Sequence, residues 1–239
     1  MESFVDKYKN MVIGTEEKDL DLDDFDVEDV PVEESSPGFP VVGVLLTDRK
    51  VRFPTLKELM SSLWRPGKGM MIKEVGEKRY LFTFYHRVYM NRVLEGGPWQ
   101  FERNLLLLKE VKPDDIPHKI VLNEADFWVQ IHNVPYSLVN LGTARRVGNF
   151  IVKFIKYDDN QNSEKWESYM RIGVCMNVDK SLKNGTNLKK EGKSFWVDFK
   201  YEKLPNFCFI CGLIGHSDKF CLLNYEEDLV LEKKLWGPS

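Results

Sequence analysis

Cys208, Cys211, His216 and Cys221 stand in a C-x2-C-x4-H-x4-C array. Three thiolates and one imidazole suit a tetrahedral Zn2+, which takes soft sulfur and borderline nitrogen donors. The two-residue gap lets Cys208 and Cys211 reach one ion from a tight turn, and Gly212 and Gly215 relieve the backbone where the loop curls round it. Three of the chain's four cysteines and one of its four histidines fall within these fourteen residues, which scattered core thiols would not explain. The expected cofactor is one structural Zn2+. Four protein ligands leave no coordination position for water, so the array does not read as catalytic. His86, His118 and His132 are isolated, His132 reading as a turn residue before Asn133-Val134-Pro135. Gly96-Gly97-Pro98 lacks the Lys-Ser/Thr that a phosphate-cradling loop requires. The chain is expected not to be an enzyme and to take no small-molecule substrate.

The rest of the 239 residues must hold this array in place, and 43% of them are apolar, enough for a core. No run of about 18 apolar residues suggests a membrane span, and the N-terminus shows no charged-then-apolar leader. Free metal-binding thiols fit a reducing, intracellular compartment. Cys175 lies among Ile172, Val174 and Met176 and reads as a small buried side chain. Charge is divided unevenly. Residues 1–38 hold thirteen acidic and three basic side chains, so the net of −3 conceals a remainder carrying +7. A basic body is compatible with a polyanionic partner. The acidic stretch reads as a disordered tail closed by Ser35-Ser36-Pro37-Gly38, and as the chain's candidate contact for a protein partner.

Regular patterning starts at Phe39. Pro40–Leu46 reads as a buried strand. Phe53–Trp64 reads as a helix, with Leu56, Leu59, Met60 and Leu63 at helical spacing. Met70–Val75 and Arg79–Tyr85 form a hairpin about Gly76-Glu77-Lys78, Arg87–Leu94 a second helix, and Asn104–Val111 a last strand. The order βαββαβ predicts an α+β domain over 39–112 that is ferredoxin-like, the topology shared by the RNA-recognition motif. Alternation in the third strand turns Tyr80, Phe82 and Phe84 into the core, with Arg79, Leu81 and Thr83 facing out, so this domain is expected to lack that motif's base-stacking face.

A linker at Lys112–Pro117 opens a second small α+β unit, 113–202. Its elements are strands at Phe127–Ile131, Phe154–Tyr157, Tyr169–Val178 and Ser194–Lys200, and a helix at Ser137–Phe150. That helix is expected to bury Leu138, Leu141, Ala144, Val147 and Phe150 and to expose Arg145 and Arg146. Lys180–Lys193 reads as a mobile basic loop. It and the Arg145–Arg146 pair are the phosphate-contact candidates outside the metal array. Residues 203–222 then form the metal domain and 223–239 a C-terminal tail.

Three segments carry a family resemblance: Trp128-Val129-Gln130-Ile131-His132-Asn133-Val134-Pro135, Arg171-Ile172-Gly173-Val174, and Tyr201-Glu202-Lys203-Leu204-Pro205-Asn206-Phe207-Cys208. With Arg92–Trp99 upstream, which is similar to a plant domain of unknown function, they resemble plant zinc-knuckle proteins related to the gag-like part of LINE-type non-LTR retrotransposons. The resemblance covers about residues 40–225. It implies a zinc-dependent, nucleic-acid-binding protein, retrotransposon-derived, with a nuclear location.

In similar knuckles an aromatic directly after the first ligand stacks on an unpaired base, a role that falls here to Phe209. Phe220, beside the last ligand, offers a second wall, and Lys200, Lys203 and Lys219 lie close enough to meet phosphates. The expected partner is single-stranded RNA or DNA, read with little sequence preference. Leu213 and Ile214 stand where such knuckles often carry polar residues. That departure supports the alternative, a protein–protein interaction scaffold using an apolar knuckle and the acidic tail.

Overall fold

Residues 38–158 and 169–223 are described in the computed structural model. Residues 1–37, most of the expected acidic tail, and 224–239 of the expected C-terminal tail lie outside the described residues. The first sheet comprises β1 (Phe39–Leu45), β2 (Met70–Gly76), β3 (Arg79–Phe84), β4 (Trp99–Phe101) and β5 (Asn104–Glu110), in the antiparallel order β2-β3-β1-β5-β4. Trp99, to which the sequence reading gave no element, opens a fifth, edge strand.

Helix α1 (Phe53–Trp64) follows β1 and helix α2 (Arg87–Glu95) follows β3. Pro near the start of α1 pre-sets its first turn, and Arg65 closes it in the left-handed region. Leu56, Met60 and Trp64 recur every four residues and are buried. His86 caps α2, its Nδ1 accepting from the Val88 N–H at 3.2 Å. The Trp64 ring meets Phe82 edge-on at 5.0 Å, and Tyr80, Phe82 and Phe84 are fully buried. Gly43 lies beneath them. A Cβ there would come within 2.7 Å of the Phe82 ring.

The opposite face of this sheet is covered as well. Arg79 Nη1 donates to the carbonyls of Pro117 (2.9 Å) and Ile120 (3.0 Å), and Ile120 is buried. The segment after β5 therefore crosses the face on which an RNA-recognition motif would stack bases. On β5, Leu105 and Leu107 point away from α1 and α2 and belong to the core of the second sheet.

That second sheet comprises β6 (Glu124–His132), β7 (Lys153–Tyr157), β8 (Tyr169–Asn177), β9 (Gly185–Lys190) and β10 (Lys193–Tyr201), with helix α3 (Leu141–Ile151) between β6 and β7. Its antiparallel order is β7-β8-β6-β10-β9. Taken strand for strand, this is the order of the first sheet. Among the described residues α2 has no counterpart in the second sheet, because only residues 178–184 separate β8 from β9.

Four expectations are corrected here. Lys180–Lys193 is not one mobile loop. Most of it is β9 and its turn, and Leu188 and Thr186 pair with Phe195 and Val197 of β10. The helix expected from Ser137 splits into a 3-10 turn (Tyr136–Leu138) and α3 proper, which starts after Asn140 caps it by accepting from the Thr143 N–H at 2.9 Å. Its buried face is Ala144, Val147, Gly148 and Ile151, because a strict every-third set such as Leu141, Ala144, Val147 and Phe150 drifts round a helix of 3.6 residues per turn. Leu141 and Phe150 are 49% and 46% exposed, not inward. His132 ends β6 rather than lying in the turn. Cys175 is half-buried on the outer face of β8, its thiol pushed up to about 12 by burial, with the Asp126 and Glu124 carboxylates adding.

Candidate metal centre and nucleic-acid interface

The chain leaves β10 through Glu202-Lys203-Leu204-Pro205 and turns back on itself at Phe207 and Ile214, which form a two-residue β-bridge. Within that bend the Cys208 N–H donates to the Leu213 carbonyl (2.9 Å), and the Gly212 N–H donates to the Cys208 carbonyl (2.8 Å). Gly212 (φ 72°) and Gly215 (φ 104°) occupy the left-handed region, where a side chain would be strained. A 3-10 turn at Asp218–Phe220 then delivers Cys221. Asp218 Oδ1 fixes that turn to the first half of the loop by accepting from the Phe209 N–H at 2.6 Å.

These bends place one ligand atom each from Cys208, Cys211, His216 and Cys221 within 4.8 Å of one another. Cys211 Sγ and His216 Nε2 are 3.3 Å apart. Zn–S and Zn–N bonds of about 2.3 and 2.0 Å at tetrahedral angles put sulfur and nitrogen about 3.5 Å apart. The donor set and its spacing thus fit one structural Zn2+. Cys208 and Cys221 are buried and Cys211 and His216 half-buried. Burial pushes the Cys208 thiol up to about 12, so an ion must displace its proton on binding. The Ile210 N–H, 3.4 Å from Cys208 Sγ, is placed to support the resulting thiolate.

The metal loop does not stand apart from the sheets. Ile214 is buried in the same core as Leu105, Leu107, Val178 and Leu182. The Leu182 N–H donates to the Gly212 carbonyl (2.9 Å), and Ser181 Oγ to the Cys211 carbonyl (2.8 Å). From the other side, Asn206 donates to the Arg103 carbonyl (2.8 Å), and Gln100 Nε2 donates to the Lys203 carbonyl. Arg103 and Glu102 form the β4–β5 turn with both φ values positive, a conformation costly for non-glycine residues that these contacts hold. The apolar Leu213-Ile214 pair is therefore explained by packing: Ile214 faces the core and Leu213 is half-buried. Ile214 of the loop and Leu105 and Leu107 of β5 join the core of the second sheet.

The expected nucleic-acid contacts fall in three places. Phe209 (36% exposed) and Phe220 (60% exposed) lie on the metal loop with exposed Lys219, and Phe209 rests against Phe207 with ring centroids 4.5 Å apart. Lys200 and Lys203 are exposed on β10 and just after it. Arg145 and Arg146 are exposed on α3, Arg145 lying 6.0 Å from the Phe154 ring.

Sequence reasoning missed an ionic stack on the helix-free face of the second sheet. Glu202 takes two hydrogen bonds from Arg171, at 2.9 Å from Nε and 2.8 Å from Nη2, while Arg171 Nη1 donates to Asp158 at 2.6 Å. Gln130 Nε2 also donates to Glu202 (2.9 Å), and the guanidinium lies 3.8 Å over the Trp128 ring. The pairing holds the Glu202 carboxyl below the usual carboxylate range. Trp128, Arg171 and Glu202 come from the three separate segments that carry the family resemblance. Opposite charges at Arg171 and Glu202 were the available signal, but 31 residues separate them.

Residues 39–119 match a family described as a domain of unknown function (DUF4283), and residues 176–223 match the zinc knuckle family. The second match begins at the end of β8 and includes β9, β10 and the four ligands. A search of curated proteins finds no match.

Proposed function

We propose that this chain binds single-stranded RNA or DNA through its zinc-ordered knuckle, with little sequence preference. One observation carries the reading: within the zinc-knuckle match, a closed Cys3His centre leaves Phe209 and Phe220 as exposed rings on its surface. Stacking on such rings tolerates any base and contributes about 1–3 kcal/mol for each. The metal's part is to fix the loop that aims them. Four protein ligands leave no position for a reacting water, so the reading includes no catalysis.

The strand orders support a ferredoxin-like reading of both sheets, the second lacking one helix among the described residues. On the residues that carry the family resemblance, we read the chain further as a gag-like or retrotransposon-derived plant protein acting in the nucleus, with 39–112, 113–202 and 203–222 as its working divisions. The scaffold alternative drew on an apolar knuckle, and the burial of Ile214 removes part of that surface.

The test is binding of zinc-loaded full chain to an unstructured oligonucleotide across a salt series. Affinity should fall as salt rises, because released counterions drive the contact. Phe209→Ala should lower affinity about tenfold, as the loss of one stack of about 1.4 kcal/mol implies, with zinc content unchanged. Salt-independent or absent binding sinks the reading. Loss of zinc in the variant would make Phe209 a structural residue instead.

A further inference from the structure

A positively charged surface outside the knuckle is built from two segments that the fold brings together. Residues 137–152 hold Arg145 and Arg146 and no acid, while 180–193 hold five lysines and one acid, Glu191. Residues 39–239 carry a net +7, and these two segments together carry +6. α3 and β9 form the two walls of a groove of about 430 Å³. Leu138, Val147 and Leu188 give it an apolar floor, Arg146, Lys189 and Lys190 a cationic rim, and no carboxylate lines it. β9 ends the strand order of its sheet, so one edge of it faces away from β10.

The groove adjoins the knuckle through Ser181-Leu182-Lys183. The first two donate to the knuckle carbonyls of Cys211 and Gly212. Lys183 Nζ donates to the Phe150 carbonyl near the end of α3, and its ammonium lies 4.0 Å from the Phe150 ring. β9 begins two residues later. Knuckle, half-exposed Phe150 and groove are thus successive along one stretch of chain.

We propose that the α3–β9 groove is a backbone track for the nucleic acid that the knuckle engages. Arg146, Lys189 and Lys190 take phosphates, and the apolar floor takes sugar and base faces. This rests on the nucleic-acid reading above and adds to it a second, electrostatic site. Point charges on a rim meet phosphates without reading sequence, so the track lengthens the bound segment without narrowing its choice.

The experiment compares zinc-loaded full-length wild type with the triple variant Arg146→Ala/Lys189→Ala/Lys190→Ala, by anisotropy of a labelled homopyrimidine oligonucleotide over a salt series. Each phosphate contact on a single strand contributes about 0.7 to the slope of log K against log salt, so the variant's slope should be shallower by about 2. Its affinity at low salt should fall at least about tenfold. In wild type, the oligonucleotide should also protect Lys189 and Lys190 from acylation, a readout independent of the variant's folding. If wild type binds but the variant keeps its slope and both lysines stay reactive, the track is wrong and the knuckle reading stands. If wild type itself shows no salt-dependent binding, the knuckle reading fails and the track with it. A variant that binds oligonucleotide normally but loses a polyglutamate peptide would assign the groove to acidic protein segments and overturn the proposal.

Discussion

Removing zinc from the full chain with a chelator is expected to lower its melting temperature by about 10 °C or more, and Cys208→Ser should do the same without chelator. The size follows from two magnitudes. Structural zinc supplies about 10–16 kcal/mol of apparent binding free energy in finger-type sites, and each kcal/mol lost moves the midpoint of a domain this large by about 2–4 °C. What makes the effect global is Ile214, which is buried with Leu105 and Leu107 of the first sheet, Leu182 of the β8–β9 connection and the core strands of the second sheet. If the knuckle loosens, that side chain leaves the core and both sheets lose a shared contact. Amide exchange should therefore quicken at β5 and around Leu182, not only within 203–222. A melting temperature indifferent to zinc would mean that the loop is an appendage and that the sheets hold without it.

Arg171→Met is expected to destabilise the fold by about 2–3 kcal/mol, or roughly 5–10 °C. Removing one partner of a fully buried pair costs about 3–5 kcal/mol. The smaller figure allows for the water contact that Glu202 and Asp158 keep, their side chains being 25% and 17% exposed. Loss of the cation over Trp128 is included in it. The pH dependence has a definite sign. Arg171 holds Glu202 below its unfolded value of about 4.3, so the stabilisation is fully present above that pH and is lost as pH falls through the lower folded value. The gap between wild type and variant should stay constant from neutral pH to about 5 and narrow below about 4. Thermal melts across that range decide it, and a gap that persists unchanged in acid would assign the effect to packing on Trp128 alone.

Local chemistry was legible in the sequence, and long-range pairing was not. The four zinc ligands follow from donor type and spacing, both confined to fourteen residues. The burial of Tyr80, Phe82 and Phe84 follows from alternation, and the limits of α1 from Pro54 and the Arg65-Pro66-Gly67 stop. β9 was missed because Gly185-Thr186-Asn187-Leu188-Lys189-Lys190 has the composition of a loop and becomes a strand only by pairing with Phe195 and Val197. The phase of α3 was missed because a strict every-third set drifts round a helix of 3.6 residues per turn. The shared strand order of the two sheets leaves no repeat in the residues, since each position asks only for burial or exposure. The Arg171–Glu202 stack and the β4–β5 turn under Asn206 depend on neighbours 31 and about a hundred residues away.

Among the described residues no second helix covers β6, β8 and β10, and this bears on the order of assembly. The first sheet has its own two helices and all five strands once Glu110 has been made. The second cannot close its core from its own elements, because part of its cover is Ile214, thirteen residues beyond the end of β10. Until the metal loop settles there, Leu105, Leu107 and Leu182 lack the side chain that Ile214 adds to their shared core. Among the described residues the metal loop is thus the last part of this core to be made, and the interval before it orders leaves that apolar surface open to self-association.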